Sequence, residues 1–172
     1  MKKVLFAAII IFISWGCNQD KQKESIASDS SPEMNTLYEA NLTAYKAQVA
    51  AFEKEDLNGW ASTIADTAHW SSPVYGDTVS TKAHWVAYIK STFDNMNGLH
   101  LTDAQFLPGI DTLTKKPDGS VRYYGTWHGT STSGKQVNLK FYGTYNFNKD
   151  HKVISGDDFY DVGGMMNAVK PE

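Results

Sequence analysis

The sequence predicts an α+β domain, with three N-terminal helices packed on an antiparallel sheet, behind a processed leader. Three observations predict it. Apolar residues recur at steps of three and four through the first half of the domain, up to Met96. From Leu99 onward the pattern changes to β-rich segments separated by turn residues. The extreme N-terminus is two lysines followed by an uncharged apolar run. Helices first and a strand meander afterwards fold as helices on one face of a sheet.

The leader comes first. Lys2 and Lys3 form a positive start, and residues 4–13 are apolar. That run is too short to span a bilayer comfortably, so residues 1–16 read as a cleaved export signal. Gly16 stands directly before Cys17, the single cysteine of the chain. Ser14-Trp15-Gly16-Cys17 resembles a lipobox. The resemblance implies diacylglycerol on the Cys17 thiol, a membrane partner through that anchor, and an exported lipoprotein of the bacterial cell envelope. Residues 17–33 carry the anchor and then almost nothing apolar. Such a stretch does not bury enough surface to repay its ordering entropy, so it reads as a flexible tether.

The domain is expected over 34–168, with 169–172 as a tail. Thr36 with Glu39 forms a capping box, which starts a helix over 37–54. Tyr38, Leu42, Tyr45, Val49 and Phe52 share one face of it. Asp56 caps a second, short helix holding Trp60 and Ile64. A strand follows over 67–74 and ends at Pro73. Ser80 or Thr81 caps a third helix with Trp85, Ile89, Phe93 and Met96 as its stripe, and Asn97-Gly98 stops it. Strands are then expected over 101–113 with a bulge near Pro108-Gly109, over 121–130, over 136–147 and over 153–161. Their turns are Pro117-Asp118-Gly119, Ser133-Gly134 and Lys149-Asp150. Gly163-Gly164 opens the tail.

Composition narrows the function classes. Of 172 residues, 41 % are hydrophobic and 20 % charged, which is ordinary for a globular domain. A single cysteine allows no internal disulfide and no thiolate metal cluster. The formal charge is −3, and losing Lys2 and Lys3 makes it −5, with no cluster of Lys and Arg anywhere. Nucleic acid is therefore not an expected partner. The five histidines show no metal-ligand spacing, so no metal and no cofactor is expected.

The most specific stretch runs from Asp56-Leu57-Asn58-Gly59-Trp60 through Ala65-Asp66-Thr67-Ala68-His69-Trp70-Ser71-Ser72-Pro73. With Tyr142-Gly143-Thr144-Tyr145-Asn146-Phe147-Asn148 and Lys152-Val153-Ile154-Ser155, it resembles the NTF2-like, or SnoaL-like, superfamily. The resemblance covers about 34–168. It implies a cone: helices over the concave side of a strongly curved sheet, with a pocket between. It also implies homodimers in many members. Ketosteroid isomerase uses this fold with an Asp base and an oxyanion hole of Tyr and protonated Asp. Those positions fall on Ser72, near Gln48 and on Gly143. All three acid–base groups are missing, and a lone serine hydroxyl is far too weak a base for a carbon acid.

Strand periodicity selects the pocket candidates. Trp70 and Ser72 share a face, as do Phe141, Gly143, Tyr145 and Phe147. The hairpin alignment turns Gly156, Asp158 and Tyr160 inward. His128 and Tyr124 share one face of their strand, and Tyr123 and Trp127 share the other. Period alone does not say which of these two faces is inner. The ligand-pocket candidates are Trp70, Ser72, His128, Phe141, Tyr145, Asp158 and Tyr160. The first expectation is a small apolar or aromatic ligand without isomerase-type catalysis. One alternative is an isomerase, cyclase or hydratase with Asp158 and His128 as acid–base pair. Another is a dimeric interaction module. Whether the chain is an enzyme stays open.

Overall fold

The computed structural model describes residues 32–170. The expected signal 1–16, the Cys17 anchor and most of the tether lie outside the described residues. Within the described residues, four helices and six strands follow in chain order: α1 (Pro32–Glu53), α2 (Leu57–Ser62), β1 (Ile64–Ser71), β2 (Ser80–Thr81), α3 (Lys82–Asn95), β3 (Met96–Ile110), β4 (Pro117–Ser131), β5 (Gln136–Phe147), β6 (Val153–Phe159) and α4 (Val162–Ala168). The strands form one sheet in the order β2-β1-β6-β5-β4-β3. Every neighbouring pair is antiparallel except β1 with β6, which run parallel. The sheet is curved and carries helices on its inner face, as the cone fold requires.

The helices form where periodicity placed them. Tyr38, Leu42 and Tyr45 of α1 are buried, and Val49 and Phe52 pack against the same core. Asp56 caps α2 by accepting from Gly59 N at 2.9 Å. Thr81 caps α3 through His84 N, and Trp85 and Ile89 are buried. Trp85 stacks on Trp70 of β1 at 5.6 Å and meets Trp60 of α2 edge-on at 5.3 Å. Aromatics so buried are costly to truncate, about 3–5 kcal/mol each. Among the described residues, the buried members of this core run from Tyr38 to Val153.

Several boundaries differ from expectation. The Thr36–Glu39 capping box does not form. α1 begins at Pro32, two residues inside the expected tether, and Thr36 Oγ1 instead donates to Pro32 O at 2.9 Å within the helix. Proline suits a first helical turn because its missing N–H would be unpaired there anyway, and Glu33 beside it suits the helix dipole. β1 starts earlier than expected and ends at Ser71. Met96 belongs to β3 rather than α3. The first long hairpin turns at 111–116, where Asp111 Oδ1 accepts from Leu113 N and Thr114 N, rather than at Pro117-Asp118-Gly119. Pro117 already pairs with Ile110. The bulge near Pro108 is present, with two further register shifts at 97–100 and 102–105. Gly163-Gly164 lie inside α4, capped by Asp161, which accepts from Gly164 N at 2.8 Å.

Candidate functional site

A cavity of about 120 Å³ opens between α1, α3 and the inner face of the sheet. A cavity of roughly 150 Å³ is known to hold benzene, so this one suits a single small ring. Phe52, Trp60, Trp85, Tyr123, Trp127 and Phe141 supply much of its wall. Among the described residues no Lys or Arg lines it, and Asp158 is the one carboxyl that does. Met165 of α4 closes part of its rim.

Register explains how the carboxyl is held. Tyr123 of β4 pairs with Gly143 of β5, and Gly143 pairs with Asp158 of β6. These three share the inner face, and the middle one has no side chain. A Cβ at Gly143 would stand 2.6 Å from Tyr145 Oη. The bare position lets the Tyr145 hydroxyl lie across it and donate to Asp158 Oδ1 at 2.5 Å. Gly156, opposite Tyr145, clears the other flank, since a Cβ there would meet Trp85 and Tyr145, each at 2.8 Å. Trp70 Nε1 donates to Asp158 Oδ2 at 2.8 Å.

The electrostatics follow from burial. Desolvation pushes the Asp158 carboxyl from an ordinary 3.8 up to about 7, against the Tyr145 and Trp70 hydrogen bonds, which hold it down. Desolvation also raises Tyr45, Tyr123 and Tyr145, and the nearby Asp158 charge adds to it. Tyr160 is raised by burial and by its close neighbour Tyr88, with which it shares a hydroxyl–hydroxyl hydrogen bond. All these phenols stay neutral, so the site offers one carboxyl that changes charge near neutral pH. Chemically it can hold or release a single proton within an aromatic wall.

Five of the seven candidates, His128, Phe141, Tyr145, Asp158 and Tyr160, border the cavity. Trp70 is fully buried behind it and acts through Asp158 and through its rings with Trp85 and Tyr88. Ser72 does not reach the cavity. β1 ends at Ser71, and the Ser72 hydroxyl accepts from Val74 N at 3.1 Å in the following loop. His128 stands on the β4 alternation opposite to Tyr123 and Trp127, and both of its ring nitrogens are engaged within the protein. Its Nε2 meets Thr102 Oγ1 at 2.8 Å, Nδ1 meets Asn138 Oδ1 at 2.6 Å, and the ring stacks on His100. His128 thus has its ring nitrogens on Thr102 and Asn138, while the Asp158 oxygens are held by Tyr145 and Trp70. Tyr123 and Trp127 are the inward pair of β4, joined by a 2.8 Å bond from Trp127 Nε1 to Tyr123 Oη. The β4–β5 register, centred on Ser133 alone, pairs Tyr123 with Gly143 and so decides the face. Gln48 of α1 also lines the cavity and was not singled out for it. Among the described residues no group of three or more His, Cys, Asp or Glu could hold a metal, and no helix is long and apolar enough to cross a membrane.

The family model described as a SnoaL-like domain matches residues 45–156. No curated protein matches the chain. Among solved structures, an NTF2-like protein of unknown function from Burkholderia pseudomallei is 19 % identical, covering 77 % of this chain and 98 % of its own, with TM-score 0.62. TerC, co-crystallised with polyporic acid, is 21 % identical over 77 % of this chain and 99 % of its own, with TM-score 0.61. SalBIII, an epoxide hydrolase/cyclase-like enzyme in pyran ring formation, is 14 % identical over 73 % and 93 %, also at 0.61. At such identities these likenesses carry the fold.

Proposed function

The chain belongs to the SnoaL-like domain family, and on that premise we propose that its cone binds a small, largely apolar molecule about one ring in size. Asp158 is the polar contact, and no ketosteroid-isomerase-type proton transfer is required. The observation that carries this reading is an aromatic cavity with one carboxyl, fixed by Tyr145 and Trp70. Mostly apolar walls with few placed polar groups are how small-molecule sites are built. The test is native mass spectrometry of the chain lacking residues 1–16, with ring compounds then titrated against tryptophan emission. A mass increment lost on denaturation, or a saturable shift in emission, supports the reading. Neither one appearing would sink it.

The same proposal puts the domain at a membrane of the cell envelope. Lys2-Lys3, the apolar run and Gly16-Cys17 support it. Lipid chains contribute about 0.8 kcal/mol per buried CH₂, so the acyl groups on one cysteine anchor the domain firmly. Cys17→Ser is expected to move the protein out of the membrane fraction, and full retention there refutes the anchor.

A second reading, a homodimer, is favoured by the outer sheet face. Tyr124, Tyr142 and Phe159 stack across β4, β5 and β6 at 4.7 and 5.5 Å between ring centres. Tyr124 is 44 % and Phe159 54 % exposed. A contiguous exposed aromatic row of this kind marks an interaction surface.

A further inference from the structure

We propose that the tip of the β3–β4 hairpin is a membrane-contact element. Leu113 enters the headgroup layer of an anionic phospholipid bilayer while Lys115 and Lys116 meet lipid phosphates. The partner is the bilayer that holds the chain through Cys17, so the inference rests on the anchor reading and adds how the domain sits on that surface.

The tip is braced and apolar at its crest. Asp111 Oδ1 accepts from Leu113 N at 3.1 Å and from Thr114 N at 2.6 Å, and Asp111 N donates to Lys116 O at 2.9 Å. The loop so fixed holds Leu113 89 % exposed, with Ile110 before it 42 % exposed. A leucine held out in water contributes nothing to the core, and its transfer into an apolar layer is favourable. Lys115 and Lys116 follow it and are exposed. A lysine beside an anionic lipid surface is attracted to it. The carboxylate of the tip, Asp111, is engaged by the loop's own N–H groups.

The chain arrives at the same end of the domain. Cys17 precedes Pro32, the first residue of α1, by fifteen residues, which places the head of α1 within about 50 Å of the anchored residue. That head packs beside the hairpin: Asn41 Nδ2 donates to Gly119 O at 2.8 Å, and a Cβ on Gly119 would meet Leu37 at 2.7 Å. The β5–β6 turn closes this end, with His151 Nδ1 and Asn41 Oδ1 2.7 Å apart, and brings exposed Lys149 and Lys152. Of the carboxylates there, Asp118 accepts from Ser120 and Asp150 stands 3.8 Å from Lys149. The β1–β2 loop also exposes Val74, Tyr75 and Val79, but it holds Asp77 and no Lys or Arg. Apolar crest, lysines and incoming chain coincide at the hairpin end. Docking there turns the opposite strand ends, where Met96, Gly129 and Val137 line the cavity, toward water. The cone then receives its ligand from the aqueous side.

The test uses the full chain, exported and lipidated in a bacterial host, then reconstituted into vesicles of phosphatidylethanolamine and phosphatidylglycerol. With the Cys17 thiol taken up by lipid, an introduced cysteine is the one free thiol. Leu113→Cys and, beyond the far end of β4, Thr132→Cys each carry a polarity-sensitive maleimide dye. Both positions are exposed, so the fold tolerates the label. The dye at 113 is expected to shift its emission to the blue and to be quenched by nitroxide lipids, and the dye at 132 to do neither. Adding Lys115→Ala and Lys116→Ala to the Leu113→Cys chain should lower the docked-to-undocked ratio about fivefold for each lysine removed. Equal emission at the two positions, or a membrane signal at 132 alone, overturns hairpin docking while retention on the vesicles leaves the anchor intact. An unchanged ratio overturns the part assigned to the lysines. A chain that does not float with the vesicles overturns the anchor and the docking together.

Discussion

Replacing Asp158 with Asn tests the site through stability. In the wild type, burial raises the carboxyl from 3.8 to about 7. A folded-state value above the unfolded one means that the native protein holds a proton the unfolded chain has released. The stabilisation is therefore complete below about pH 4 and is lost as pH rises through about 7. At about 1.4 kcal/mol per pH unit, the wild type loses roughly 3 kcal/mol between pH 5 and pH 8 through this group. The amide introduced by Asp158→Asn has no such proton, so the variant lacks that slope. The amide oxygen can accept from Trp70 Nε1, which only donates, while the amide nitrogen can donate to a Tyr145 hydroxyl that has turned to accept. Below about pH 4, where the acid is neutral in both the folded and the unfolded chain, the two proteins are thus expected to agree within about 1 kcal/mol, one net hydrogen bond. At pH 8 the variant should be the more stable by about 4 kcal/mol, the whole interval from 3.8 to about 7. Urea unfolding at four pH values, followed by tryptophan emission, measures both curves. Parallel curves would refute a carboxyl titrating near neutrality inside the cone.

Three other substitutions probe how the site is held. Gly143→Ala places a methyl 2.6 Å from Tyr145 Oη and should push that hydroxyl off Asp158. Differential titration of the side-chain carboxyl by NMR should then show Asp158 rising further, with about 1–3 kcal/mol of stability lost to overpacking. Asn41→Leu strips Gly119 O of its buried donor and should cost about 1–3 kcal/mol in urea melts while leaving ring affinity unchanged. Phe159→Lys on the outer face should turn a dimer into a monomer in sedimentation, at a cost to the fold within about 0.5 kcal/mol, typical of an exposed position.

The parts of the fold that were legible in the sequence have a local cause. Helix stripes such as Tyr38-Leu42-Tyr45 and Trp85-Ile89 are buried because their spacing allows one face only. The β5 limits were correct because turn residues bound that segment at both ends. Misreadings came where two local signals competed. Thr36 had the chemistry of a cap, but Pro32 and Glu33 start a helix more effectively and leave Thr36 inside it. Pro117-Asp118-Gly119 had the chemistry of a turn, but the Asp111 side chain organises one sooner, and the strand absorbs Gly119 at φ 79°. The inward face of β6 was legible from alternation, and Asp158 with it. Gln48 was not, because an amide on a helix stripe has the same pattern whether it is paired, like Asn41, or unpaired.

The location of the carboxyl connects this chain to its family. Alignment with the isomerase-type members puts their oxyanion Asp at Gly143, which reads as a lost group. The sheet register shows what faces that position: Gly143 pairs directly with Asp158 on the neighbouring strand. A carboxyl thus lies on the inner face in that cross-strand row, on β6. The glycine that reads as a deletion is what makes the new arrangement possible, because any side chain there would occupy the path of the Tyr145 hydroxyl. In its apolar surroundings the Asp158 carboxyl has a raised proton affinity. The base position at Ser72 has no comparable substitute, since its hydroxyl is engaged with Val74 N outside the cavity. One buried acid without a base opposite can hold a ligand and share a proton with it. An aromatic wall with one fixed carboxyl is the physical reason for proposing the cone as a binding site.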